Sequence, residues 1–112
     1  MFGTQGAQAQ SSAALGSHMI GKAVIIRTYS AGVHFGTLAA RDGAEALLTN
    51  ARRIWYWDKA FTLSKVAVDG VGNGSKISIA VPEILLTEAI EIIPVSDAAA
   101  QQISAAKAHK PE

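Results

Sequence analysis

Hydrophobic and polar positions alternate along the first part of the chain, where β-branched residues are frequent. Residues 20–29 follow this pattern and predict a strand. Residues 33–41 predict a second strand, in which Gly36 marks a bend or bulge. Ser30-Ala31-Gly32 predicts a turn between them. The chain is therefore expected to begin with two neighbouring antiparallel strands.

A hairpin signal and a third strand follow. Asp42-Gly43 is typical of a two-residue hairpin turn. Residues 45–57 predict a strand that is broken or bent near Asn50-Ala51. Together, the three strands predict an antiparallel meander.

The hydrophobic period changes to that of a helix in the next segment. Apolar residues between Ala60 and Gly70 fall at helical spacing, with Thr62 suited to cap the start and Gly70 to end it. Further along, the pattern predicts a flexible loop over 71–75 and a strand over 76–81 that ends at Pro82. A long strand over 84–95 follows, and then a closing helix over 97–108 capped by Ser96.

These elements predict a mainly β fold with minor α content, arranged as a small antiparallel β-barrel with one short inserted helix and a C-terminal helix. Residues 19–108 are enough for one such domain. Residues 1–18 are rich in Gly, Ala, Gln and Ser and end in Gly16-Ser17-His18, which is typical of a cloning site. We expect 1–18 to be an added, disordered leader and 109–112 to be a frayed tail.

Composition narrows the class of function. The formal net charge is +1, which gives no indication of nonspecific nucleic-acid binding. The chain has no cysteine, which excludes disulfides and cysteine-ligated zinc. No apolar run approaches the roughly 18 residues that cross a bilayer, so we expect a soluble cytoplasmic protein with no membrane partner.

Residues 52–58 are the most unusual segment, because both tryptophans and one tyrosine lie within three positions. On a strand, Arg53, Trp55 and Trp57 would share one face. Aromatics beside arginines suit base stacking with phosphate pairing, and they also suit a subunit interface or a core beneath the helix, burial being the usual place of large aromatics. All three interpretations stay open. The candidate ligand or interface residues are Arg27, Arg52, Arg53, Trp55, Tyr56 and Trp57.

Nothing in the sequence predicts catalysis, a metal or a cofactor. His34 is the only histidine within the expected fold, and one histidine does not make a metal site. The spacing of Glu83, Glu88 and Glu91 does not define a carboxylate pair, and charges there are typical of edge strands. Arg41 lies before the hairpin turn, where it either joins Arg27 and the other arginines in a basic patch or simply faces outward.

The last predicted strand favours assembly. Residues 84–93 are nearly apolar on both faces, whereas a strand with one wet face should alternate. The closing helix offers only Ile103 as a large apolar side chain to cover it. We therefore expect another copy of the chain to cover the strand, with Ile84, Leu86, Ile90 and Ile92 as interface candidates.

The order of elements resembles the Sm-like small β-barrel. The likeness lies in residues 24–28, 32–38, Asp42-Gly43, 46–48 and 89–94. Such a resemblance implies a barrel, rings formed by edge-strand pairing, and often RNA binding. Ala44, Glu45 and Ala46 stand where the family's RNA pocket has an asparagine, and its basic-glycine motif is missing before the last strand. The resemblance thus implies a barrel more than an RNA site.

The run from Asn50 to Asp58, residues 63–67 with Gly70, and residues 87–94 are similar to a family of small bacteriophage and prophage proteins. The likeness covers most of residues 20–104 and implies a phage-related origin, without catalytic residues. We therefore predict a noncatalytic, self-assembling protein of phage or prophage type, a ring being one form of the assembly. The alternative is a nucleic-acid or nucleotide-binding module that uses the arginine and tryptophan surface.

Overall fold

The first half of the chain forms the predicted meander. The computed structural model describes residues 15–57, 62–72 and 74–109. Its first strands are β1 (Ala23–Thr28), β2 (Val33–Asp42) and β3 (Glu45–Tyr56). Gly43 and Ala44 form a two-residue turn in which Gly43 has a φ of 57°, and Asp42 pairs with Glu45 across it. The hairpin predicted from Asp42-Gly43 is confirmed.

β2 and β3 bend at the same place. The pairing between them shifts between Phe35 and Thr37, on either side of Gly36. On the facing strand, Asn50 has a φ of 49°, a conformation that few residues other than glycine adopt. A Cβ atom on Gly36 would lie 3.0 Å from the carbonyl oxygen of Thr49. The predicted bend is confirmed, and Gly36 is required because the two backbones approach closely.

Two helices accompany the sheet, α1 (Leu63–Asp69) and α2 (Asp97–Ala105). As predicted, the side-chain oxygens of Thr62 and Ser96 each accept a backbone N–H in the first turn, and Gly70 ends α1 with a φ of 82°. The Ser96 hydroxyl also donates to the carbonyl of Val68 at 2.7 Å, which joins the two helices. α2 ends before the predicted residue 108.

The chain between the helices departs from the prediction. It forms β4 (Lys76–Ile77), β5 (Val81–Leu86) and β6 (Ala89–Pro94). The predicted strand over 76–81 is therefore too long, and Pro82 lies inside β5. A single strand over 84–95 is wrong, because the chain turns at Thr87 and Glu88. β5 pairs with β3, whereas β6 pairs with β1, so the chain must turn between them to reach the two different partners.

The strands form one antiparallel sheet in the order β4-β3-β2-β1-β6, with β5 also paired to β3. β3 holds β5 along residues 46–51 and β4 near its end, at Ile54 and Tyr56. Within the described part of the chain, β5 and β6 each have a strand partner on one side only. The predicted class, mainly β with an inserted and a closing helix, is confirmed.

Each face of the sheet carries a buried core cluster. One core cluster lies where the helices pack, and it consists of Ile25, Val33, Phe35, Ile54, Val66, Ala67, Val71, Ile77 and Ile103. The second consists of Val24, Ile26, Leu38, Ala46, Leu48, Ala51 and Leu86. Since neighbouring strand residues point to opposite faces, β1 supplies Ile25 to the first cluster and Val24 and Ile26 to the second. The single large anchor of α2, Ile103, is fully buried.

The ends of the chain are described in part. Of the predicted leader, residues 1–14 lie outside the described residues, while Ser17–Met19 form a 3-10 turn. Of the predicted tail, residues 110–112 lie outside them, while the His109 N–H donates to the carbonyl of Ile77 at 2.8 Å. Asn73 of the predicted flexible loop also lies outside them. No helix within the described ranges is long and apolar enough to cross a membrane.

Candidate functional site

The alternation of β3 places Arg52 and Arg53 on opposite faces of the strand. Arg52 and Ile54 are buried, whereas Arg53 and Trp55 are exposed. Trp55 keeps 46% of its surface in solvent. The unusual segment is thus divided between an internal face and an external face.

Arg52 belongs to the interior, with only 6% of its surface exposed. Its Nε donates to the carbonyl of Ser78 at 2.8 Å, and its Nη1 donates to the carbonyls of Ile103 at 2.8 Å and Ser104 at 3.2 Å. Burial lowers the pKa of the Arg52 guanidinium. In this position Arg52 joins β3 to the end of α2 and to the strand connection, and backbone carbonyls occupy its Nε and Nη1 donors.

Arg53 and Trp55 line an open cleft between β3 and the connection from β4 to β5. The cleft has a volume of about 530 Å³, and its lining consists of Arg53, Trp55, Ser78, Ile79, Val81 and Ile84. The Arg53 N–H donates to the Ser78 hydroxyl at 2.8 Å, and the Ser78 N–H donates to the carbonyl of Arg53 at 2.8 Å. These paired bonds fix the two walls of the cleft relative to each other.

The walls of the cleft could not be read from the sequence. Residues 76–81 were predicted as one alternating strand, but the regular pairing stops at Ile77. Ile79 then lies in an irregular connection with 63% of its surface exposed. No local signal marks this change, apart from Pro82, which restricts the residue before it to an extended backbone.

Among the residues that the structure describes, Arg53 provides the only charge in the cleft lining. Among the described residues no carboxylate forms an ion pair with it. Asp58, five positions further along the chain, lies outside them. The strand partner of Arg53 is His34, which is fully buried. Burial lowers the pKa of His34, the Arg53 charge lowers it further, and a hydrogen bond to the carbonyl of Ala31 opposes both effects. Arg53 is thus backed by an imidazole that favours the neutral form.

The other aromatic residues are placed differently. The Trp55 ring meets His109 edge to face, with ring centroids 5.7 Å apart. Tyr56 is about half exposed, with the Lys76 ammonium 6.0 Å from its ring centroid. Trp57 is partly buried and packs against the helix-side core. The core interpretation therefore describes Trp57, while Trp55 and Tyr56 remain accessible.

The structure does not assemble a single basic patch. Arg27 forms an ion pair with Glu91 at 3.0 Å on the outer surface of β1 and β6. Arg41 donates to the carbonyls of Leu15 and Gly43 near the hairpin turn. Arg41 lies seven residues along β2 from His34, the strand partner of Arg53, which is about 23 Å at the usual rise of a strand. Only Arg53 lies in the cleft.

The predicted interface residues occupy β5 and β6. Leu86 is buried in the second core cluster, and Ile84 and Ile92 are partly buried against it. Ile90 is the extra residue of a β-bulge, where β6 advances by two positions and β1 by one, and it is 53% exposed. Leu85, which the sequence analysis did not single out, is 57% exposed on β5.

The acidic candidates have surface roles. Glu88 accepts a hydrogen bond from the Ser30 hydroxyl at 2.6 Å, and Glu91 pairs with Arg27. In the described ranges, His, Asp and Glu side chains nowhere form a group of three that could hold a metal ion.

The fold and cleft define a small, mainly β protein with a curled antiparallel sheet, two helices and an exposed arginine and tryptophan surface. Residues 21–103 match the family described as a domain of unknown function, DUF6948, and the chain belongs to that family. The function of this family is unknown, and the predicted phage origin stays a prediction. No curated protein matches the sequence.

Two solved structures are similar to this chain. A heptameric archaeal Sm protein is 19% identical, over 74% of this chain and 98% of that one, with a TM-score of 0.49. The SmAP1 heptamer of P. aerophilum is 20% identical, over 86% of this chain and 99% of that one, with a TM-score of 0.45. Both TM-scores are below 0.5, so any function proposed for this chain must rest on its own geometry.

Proposed function

We propose that this chain is a noncatalytic protein of phage or prophage type that assembles into homo-oligomers in the cytoplasm of a bacterial host. In the assembly, β5 of one copy pairs with β6 of the next. The observation that carries the proposal is the pair of open strand edges at the two ends of one sheet. The phage assignment is supported by the sequence resemblance over residues 20–104.

An open edge presents a row of backbone N–H and C=O groups to another strand. β5 and β6 each have six residues, or about 20 Å of edge. Pro82 lacks an N–H near the start of β5, and Pro94 lacks one at the end of β6. Residues 83–86 and 89–93 are therefore the stretches best suited to pair between copies.

Apolar side chains lie beside both edges. Leu85 and Ile90 are each more than half exposed, and the accessible parts of Ile84 and Ile92 extend the same surfaces. Burying one such side chain fully stabilises a complex by about 1.5–3 kcal/mol. Leu86, which lies in the core, would support the interface from below.

Edge pairing of this size favours a closed assembly over an isolated dimer. Each strand-to-strand hydrogen bond contributes about 0.5–1.5 kcal/mol net. Association costs an estimated 4–15 kcal/mol in lost freedom of motion, so one small interface is marginal. Because the two edges differ, the contact is head-to-tail, and it forms a ring when the rotation closes. In a ring every copy makes two contacts.

The alternative, nucleic-acid or nucleotide binding, loses part of its predicted site. Arg52 is bound to three backbone carbonyls, and Arg27 is paired with Glu91. An arginine and tryptophan surface would have to consist mainly of Arg53 and Trp55.

Native mass of the full chain tests the assembly. Light scattering at low and high salt should give one discrete multimer at both, since apolar and backbone contacts are little screened. Leu85→Lys and Ile90→Lys place a charge at each edge and should each reduce the mass. The control Val68→Lys makes a similar change at a residue of α1 that is 63% exposed. It should leave the mass unchanged. A monomer at tens of micromolar protein would refute the proposal.

A further inference from the structure

We propose that the cleft lined by Arg53, Trp55 and Ile79 binds a nucleotide unit, with the base against the apolar walls and the phosphate on Arg53. The cleft shares Ile84 with the strand-edge surface of the proposed assembly, whereas Arg53, Trp55 and Ile79 lie outside that surface. Its ligand is either a free nucleotide or one residue of a single-stranded nucleic acid, because both present a planar base and an anionic phosphate.

The apolar wall suits a planar ring. Trp55 and Ile79 both leave large apolar surface in solvent, and Val81 and Ile84 continue the lining. Every nucleobase has a π-face, so stacking on an exposed tryptophan tolerates any base. The edge-to-face contact with His109 restrains the Trp55 ring in this position.

The charge selects an anion for the same cleft. Within the described part of the chain, Arg53 is the one charged lining residue, and no carboxylate there pairs with it. A guanidinium binds phosphate through two parallel N–H donors. The backbone N–H and carbonyl of Arg53 are both hydrogen-bonded to Ser78, so the charged side chain extends from a fixed point of the sheet.

The size of the cleft agrees with a ligand of this class. Its volume of about 530 Å³ is within the roughly 300–1,000 Å³ typical of small-molecule sites. An apolar peptide or a second copy would fit the walls but would leave the cation without a partner. A nucleotide unit would use both the apolar walls, through its base, and the Arg53 charge, through its phosphate.

Binding to the full chain can be measured by fluorescence. Adenosine and uridine 5′-monophosphate are titrated against tryptophan emission, and a short fluorescein-labelled oligouridylate is followed by anisotropy. Arg53→Gln should weaken binding by about tenfold or more, since a charge-assisted phosphate contact is lost. The matched control, Arg41→Gln, removes the same charge away from the cleft and should change affinity by less than about twofold. Trp55→Leu should also weaken binding of the oligouridylate, measured by anisotropy because that readout does not depend on Trp55 emission.

The two kinds of probe distinguish the source of the ligand. Binding of a mononucleotide supports a free nucleotide, whereas binding of the oligouridylate alone supports a strand, and each result requires the Arg53 effect. Binding of neither probe at millimolar nucleotide overturns the proposal. Equal losses from Arg53→Gln and Arg41→Gln also overturn it, because they would show attraction by net charge alone. Light scattering of Arg53→Gln should show the wild-type mass, so failure here would leave the assembly intact.

Discussion

Replacement of Arg52 tests the division between the buried and exposed arginines of β3. Arg52→Ala removes the two short hydrogen bonds of 2.8 Å and the longer one of 3.2 Å, and leaves their carbonyl acceptors inside the protein. A hydrogen bond to a charged group contributes about 1.5–3 kcal/mol. The two short bonds together amount to about 3–6 kcal/mol, and relief from burying the charge offsets part of this. We expect a loss of about 3–5 kcal/mol, a large share of the roughly 5–15 kcal/mol typical of a domain.

The loss is measured by urea denaturation followed by circular dichroism. The midpoint should fall while the slope m stays constant, since the surface exposed on unfolding changes little. Arg52→Met retains the apolar stem, so a similar loss in this variant assigns the effect to the hydrogen bonds. All variants must be compared at one protein concentration, because assembly would stabilise the folded state.

Arg53→Ala is the neighbouring control. Its side chain is exposed, and it should change stability by no more than about 0.5 kcal/mol. Equal midpoints for Arg52→Ala and Arg53→Ala would refute the assigned role of Arg52. A drop in m for Arg52→Ala would instead show that the variant exposes less additional surface on unfolding, as when the folded state is already loosened.

Three further predictions concern single residues. The lowered pKa of His34 means that the unfolded chain binds a proton first as pH falls below about 6.5, so stability should be complete above that pH and decrease below it. The urea midpoints at about pH 7.5 and 5.5 should therefore differ more in the wild type than in His34→Leu. Equal changes in the two proteins would contradict this. Gly36→Ala should cost about 1–3 kcal/mol by urea denaturation because its Cβ would press on the Thr49 carbonyl, and an unchanged midpoint would show that the bend can relax. Ser96→Ala should lower the free energy of unfolding by about 1 kcal/mol, because the capping hydroxyl is lost. Ser96→Thr keeps a hydroxyl and should retain most of the wild-type stability.

The sequence was most informative where structure depends on neighbouring residues. The hairpin after Asp42 and the caps at Thr62 and Ser96 are set by the chemistry of short segments, and all three were predicted. The bend at Gly36 was predicted for the same reason, because a glycine inside a strand usually marks a bend, a bulge or a close backbone approach. The mainly β class followed from the alternation of the first three strands.

Long-range contacts determine the features that could not be predicted. Residues 84–93 contain no glycine, proline or asparagine, so nothing local indicates that the chain turns at Thr87 and Glu88. The turn arises because the flanking strands pair with opposite ends of the sheet. Arg52 and Arg53 are adjacent and chemically identical, and only the carbonyls of Ser78 and Ile103, distant in sequence, distinguish their roles.

β1 has a consequence for how the molecule unfolds. Its adjacent residues Val24, Ile25 and Ile26 are all fully buried, yet they belong to clusters on opposite faces of one sheet. Neither cluster can come apart without displacing the strand that the other needs. Unfolding should therefore be a single cooperative transition, with no populated form in which the helices have detached and the strands persist. The open edges would then be presented only by fully folded copies, which limits misassembly from partly unfolded chains.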